Sequence, residues 1–118
     1  MAPLTHTDTF DVSLTPAEVR ERVLTWFRPY SHRVVVDTLD RLEVVSGSQA
    51  KMRIIGGAFI AASSLPTRTA VTIDAGAAGS RVGVSARDAV GFGLKTGMKR
   101  KYEQWVASIV DGIGAALT

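Results

Sequence analysis

The side chains that could do chemistry in this 118-residue chain are few and scattered. His6 and His32 are its only histidines, and cysteine is absent. A metal centre needs several N, S or O ligands converging on one point. No spacing of His, Asp and Glu here supplies them, so neither a metal nor a cofactor is expected. The absence of cysteine excludes disulfides and thiolate sites. His6 precedes the first expected strand and His32 opens the second, both places where a surface histidine is ordinary. Ser46, Ser48, Ser63, Ser64, Ser80, Ser85 and Ser108 lack the G-x-S-x-G context of a nucleophile elbow. Asp37 and Asp40 could form an acid–base pair, but they flank an expected turn, where Asp is common for its own hydrogen bonding. An enzyme is therefore the lesser expectation.

The glycine-rich stretch Gly91-Phe92-Gly93-Leu94-Lys95-Thr96-Gly97-Met98 invites two comparisons. A phosphate-cradling loop requires G-x-x-x-x-G-K-[ST], and Met98 stands where its lysine would be. An RNA-reading strand would need Lys or Arg before Gly91, and Val90 is there instead. The glycines read best as a bend leading from the last strand into a closing helix. They also leave amides unobstructed beside cations, and a helix N-terminus so placed can hold an anion. Lys95, Lys99, Arg100 and Lys101 are accordingly the candidate anion-binding residues, for an acidic partner, a phosphate or a lipid headgroup. A solvated cluster is the plainer account of such a run. The formal net charge is +3. All of it falls between Lys95 and Glu103, and the remaining chain balances. A local excess of this kind does not lead us to expect nucleic-acid binding, which shows a basic face or stripe.

These residues need elements to position them. Thr7 to Leu14 alternates, with Phe10, Val12 and Leu14 on one side, and predicts a strand. Thr15-Pro16-Ala17-Glu18 predicts a helix start, with Thr15 as N-cap, Pro16 in the first turn and Glu18 closing a capping box. Val19, Val23, Trp26, Phe27 and Tyr30 then share a helical face, and Pro29 ends the helix. From Met98 onward, Tyr102, Trp105, Val106, Ile109, Ile113 and Leu117 recur at helical spacing. A helix this apolar on one side must close over another layer.

Between the helices, Arg33–Asp37, Arg41–Val45, Lys51–Ile55, Arg68–Asp74 and Arg81–Arg87 predict five strands. Alternation sets Val36 opposite Leu42 and Asp37 opposite Arg41. It sets Leu42 opposite Ile54, with Glu43 meeting Arg53 on the outer face. Val71 falls opposite Val84, Ile73 opposite Val82, and Asp74 opposite Arg81. Ser46-Gly47-Ser48-Gln49 and Gly76-Ala77-Ala78-Gly79 are the turns, and Gly56-Gly57 suggests a bulge. The inward positions are almost all aliphatic.

The expected fold is α+β: a single domain over residues 1–118, with an antiparallel meander carrying one N-terminal helix and a long C-terminal helix on one face, in the order β-α-β5-α. That order resembles the helix-grip architecture of the START and Bet v 1-like (SRPBCC-type) proteins, and the smaller TBP-like β-α-β4-α arrangement. The resemblance rests on element order and transfers no individual residue. It implies a small apolar or amphipathic ligand held between the sheet and the closing helix. The aromatics Trp26, Tyr30, Phe59, Tyr102 and Trp105 are core residues first, and the candidate ligand lining if a void remains between helix and sheet. The other class of function is a protein-interaction or assembly module without a ligand, using a sheet edge, a sheet face or the basic helix start; homo-oligomerisation stays open. Hydrophobic residues make up 46% of the chain, and no apolar run is long enough to span a bilayer. Met1 to Phe10 has neither a basic n-region nor an apolar h-region, so no signal peptide is expected and the default location is cytoplasmic.

Overall fold

The computed structural model describes residues 5–48, 61–89 and 98–118. The expected strand over Lys51–Ile55, the Gly56-Gly57 bulge, Phe59 and Lys95 lie outside these residues. The described elements are β1 (Thr5–Val12), α1 (Pro16–Phe27), β2 (His32–Asp37), β3 (Arg41–Ser46), a 3-10 turn (Ala62–Ser64), β4 (Thr67–Gly76), β5 (Gly79–Asp88) and α2 (Met98–Leu117). The strands form one antiparallel sheet in the order β1-β5-β4-β3-β2. Four of them follow the chain as a meander, and β1 joins at the β5 edge. Both helices pack on one face. This is an α+β sheet with a long C-terminal helix laid across it, consistent with the helix-grip fold. Among the described residues no helix is long and apolar enough to cross a membrane.

The start of α1 is built as its sequence dictates. Glu18 N–H donates to Thr15 Oγ1 at 3.3 Å, and Thr15 N–H donates back to Glu18 Oε1 at 3.1 Å. These reciprocal bonds occupy donors that a helix start would otherwise leave open. They also hold the Glu18 carboxyl below its usual range. The helix buries Val19, Val23 and Phe27.

The α2 helix buries Tyr102, Trp105, Val106, Ile109, Val110, Ile113 and Leu117. Two glycines let it sit close. The Trp26 ring lies where a Gly112 Cβ would point, with Nε1 2.6 Å from that position, and the Phe10 ring occupies the corresponding place at Gly114. A mid-helix glycine costs about 1 kcal/mol relative to alanine. Here each one makes room for an aromatic ring from another element.

The β4–β5 hairpin has the expected register: Val71 faces Val84, Ile73 faces Val82 and Asp74 faces Arg81. Gly47 turns the chain after β3 with φ +86, and any side chain there would strike the Leu65 carbonyl.

Three expectations about the sheet need correction. The strand beside β3 is β4, with Leu42 facing Val71 and Glu43 facing Ala70. As β2 occupies the other side, Leu42 has no place for Ile54, and Glu43 bonds Arg41 and Arg68 instead, at 2.6 and 2.7 Å. The β2–β3 register also slips between Val34 and Val36, so Val36 faces Glu43 and Asp37 faces Leu42. A one-residue slip turns every later side chain over. Asp37 therefore points toward the helices, where Arg20 Nε of α1 donates to its Oδ1 at 2.9 Å. Finally, His6 lies within β1, opposite Ala86, and not before it.

The outer face is polar and largely self-paired. Arg81 Nε donates to Asp11 Oδ1 at 3.0 Å, and Thr7 Oγ1 to Ser85 Oγ at 3.0 Å.

Candidate functional site

The inner face of the sheet changes character along its length. Its middle is aliphatic: Leu42, Val44, Val71, Val82 and Val84 are all essentially inaccessible to solvent. One end is not. There His32 faces Ser46, Ser46 faces Thr67 and Thr67 faces Asp88, one polar row crossing four strands. Thr69 stands one inward position further along β4, opposite Val44. Ser46, Thr67, Thr69 and Asp88 are all buried, so the expectation of an almost wholly aliphatic inner face is corrected at this end.

Aromatic side chains of both helices gather beside the His32 end of the row, where His32 itself is exposed. Trp26, Phe27 and Tyr30 at the end of α1 form a cluster, with ring centroids 5.0 Å apart for Trp26–Phe27 and 5.3 Å for Trp26–Tyr30. The Phe27 ring lies 5.9 Å from the imidazole of His32, whose Nδ1 is 2.8 Å from the Tyr30 carbonyl. Trp105 of α2 meets Tyr30 edge-on at 5.4 Å and lies 6.3 Å from Trp26. One turn earlier, the Tyr102 hydroxyl donates to the Pro66 carbonyl at 3.0 Å, next to Thr67. Through Tyr30 the Trp105 ring is tied to the His32 end of the row, and Tyr102, one turn earlier, to the Pro66–Thr67 side.

The hydrogen-bond balance of this end is incomplete. Thr67 Oγ1 donates to the Leu65 carbonyl at 2.9 Å, and Tyr102 is satisfied as described. Asp88 also has a partner. Among the described residues, Ser46 Oγ, Thr69 Oγ1 and Trp105 Nε1 are buried with no hydrogen-bond partner. A buried hydroxyl without a hydrogen bond costs about 1–3 kcal/mol, and most buried polar groups in proteins are paired. Here three such atoms stand on β3, β4 and α2. Burial, and then the nearby Asp88 carboxylate, push the Tyr102 phenol above its ordinary range. It is therefore a neutral donor at all physiological pH values.

Among the aromatics expected to line a ligand site, Trp26, Tyr30 and Trp105 come together directly, and Tyr102 lies one turn from Trp105. Ser46, Thr67, Thr69 and Asp88 escaped the sequence reading. Their signal is parity: each shares the inward alternation of aliphatics on its strand, as in Leu42-x-Val44-x-Ser46, Thr67-x-Thr69-x-Val71 and Val84-x-Ala86-x-Asp88. Of the candidate anion-binding residues, Lys99 and Arg100 are exposed at the start of α2. Lys101 is half-buried and has an interaction partner. Asp37, the other acid–base candidate, is held below the usual carboxylate range by its hydrogen bonds from Arg20. Asp40 accepts from the Thr38 hydroxyl at 2.9 Å, as in an ordinary turn. Among the described residues no group of His, Asp and Glu is placed to hold a metal ion. A surface cleft of about 590 Å³ between α1 and the end of α2, lined by Glu18, Glu21, Arg22, Thr25, Trp26 and Ala116, is separate from the polar row.

No protein-family model matches the chain, and no curated protein does. Solved structures share its fold. Protein MLL2253 from Mesorhizobium loti superposes with a TM-score of 0.56 at 11% identity, covering 97% of this chain and 96% of the other. Protein CV1439 from Chromobacterium violaceum gives 0.50 at 9% identity, covering 96% of each. Ara h 8.0201 gives 0.49 at 11% identity, covering 98% of each.

Proposed function

We propose that this protein is a non-enzymatic binding module for a small amphipathic ligand held between the sheet and α2. Its apolar body would lie against the aliphatic middle of the inner face, and its polar end among Ser46, Thr69 and Trp105. The observation that carries this reading is the set of three buried polar atoms without a partner among the described residues, at the polar end of a layer whose middle is aliphatic. A chain selected for stability alone would carry aliphatic side chains there, because removing an unpaired buried hydroxyl without changing shape is stabilising. The helix-grip resemblance supports the same reading, since its members commonly hold apolar ligands in this layer.

Fluorescence of the neutral apolar dye phenylnaphthylamine tests it. The dye should brighten on mixing with the folded chain, and short alkyl compounds should displace it. Emission that stays at its value in buffer across a full titration would rule out a ligand site of this kind.

A further inference from the structure

We infer that the ligand carries an uncharged hydrogen-bond acceptor, a ketone, ester or amide carbonyl, at the end of its apolar body. This rests on the ligand reading above and sharpens it, by asking what chemistry the unpartnered atoms can satisfy.

Trp105 Nε1 is a donor only, whereas the Ser46 and Thr69 hydroxyls can donate or accept. A group that meets all three must therefore accept at least one hydrogen bond. Ser46 and Thr69 are diagonal neighbours across the β3–β4 pair, since Ser46 faces Thr67. Such positions stand about 7–8 Å apart at the backbone, close enough for both side chains to serve one small head group.

Charge narrows the choice. The described inner positions of the five strands carry no lysine or arginine. A carboxylate head would lose its hydration with no strand cation to replace it. It would also sit near the buried Asp88, in the same row. Lys101, half-buried on the first turn of α2, is already engaged. An ammonium head would meet the indole N–H, which cannot accept a hydrogen bond. An alcohol could serve, but would spend its single proton where no dedicated acceptor exists. A carbonyl oxygen, with two lone pairs and no proton, fits three potential donors best.

The test compares hexyl methyl ketone, octanoate and heptane on the full chain. Affinities come from the rise in melting temperature with ligand concentration. The wild type should bind the ketone more tightly than octanoate. The double variant Ser46→Ala, Thr69→Val should lose about tenfold in ketone affinity, as expected for forfeited hydrogen bonds, and keep its heptane affinity. Both substitutions remove a buried oxygen at nearly constant volume, and the single variants repeat the comparison if the double variant melts too low. Octanoate binding as tightly as the ketone would overturn the inference and leave the ligand reading standing. So would a ketone affinity indifferent to the substitutions, the result expected if ordered water alone serves these atoms. No stabilisation by ketone or by heptane would overturn both.

Discussion

The two faces of the sheet treat polar groups in opposite ways. On the outer face, exposed Asp11 takes a hydrogen bond from Arg81, and Glu43, itself largely covered, takes bonds from the partly exposed Arg41 and Arg68. On the inner face, where water is excluded, Ser46, Thr69 and Trp105 have buried polar atoms with no partner. Stability alone favours the reverse, because exposed ion pairs contribute little and unpaired buried groups cost most. That difference is what supports the proposed ligand site, since strain and unsatisfied groups gather at functional sites elsewhere.

The sharpest way to break this contrast is to remove one hydroxyl from each face. Thr69→Val should stabilise the ligand-free protein by about 1–3 kcal/mol, the cost of an unpaired buried hydroxyl. Thr72→Val, on the exposed outer position three residues on, should change stability by less than about 0.5 kcal/mol. Urea melts of both variants against wild type decide it, and a destabilised Thr69→Val would show that its hydroxyl is already satisfied.

A smaller effect tests the paired surface. Thr15→Ala dismantles the reciprocal bonds at the start of α1 and should cost about 0.5–2 kcal/mol, read from the midpoint of the same melts. An unchanged midpoint would mean that water replaces the cap without loss.

The smallest effect concerns Glu43. Its side chain is 11% exposed, but its partners Arg41 and Arg68 are 47% and 33% exposed. Bonds from Arg41, then Arg68, hold its carboxyl below the usual range. A depressed folded-state value means that the contribution is complete above the unfolded carboxylate pKa, about 4.3. It disappears as pH falls through the lower folded value. Glu43→Gln should therefore cost about 1 kcal/mol or less at neutral pH, and the gap between variant and wild type should close in acid. A gap that is constant from neutral to acid pH would assign the loss to shape and not to charge.

Much of this architecture is readable in the chain. The cap at Thr15 is spelled out by Thr-Pro-Ala-Glu, the α2 face by its recurring aliphatics, and the β4–β5 register by two alternating runs around a four-residue turn. The slip in β2 is not readable, because Val34-Val35-Val36 offers the same side chain in every register. It is the reason Asp37 meets Arg20 on α1 and not Arg41 across the turn. The partner of β3 was misread for a related reason: alternation fixes which side chains share a face, but not which of several alternating strands lies alongside. The polar row followed the parity of its strands and became visible only once Ser46, Thr67 and Asp88 were aligned across them.

The pairing of β1 with β5 has a consequence in time. Thr5 lies opposite Arg87 and Val12 opposite Ser80, so β1 finds its neighbour only after about seventy further residues have been made. The strands β2 to β5 pair with neighbours nearer in sequence, but β1 must wait, and so must Phe10, whose ring fills the place left by Gly114 in α2. Contacts between residues this distant in sequence slow the folding of small domains. Docking of β1 and α2 is thus expected to come late, and until then the β5 edge stands open to whatever strand reaches it first.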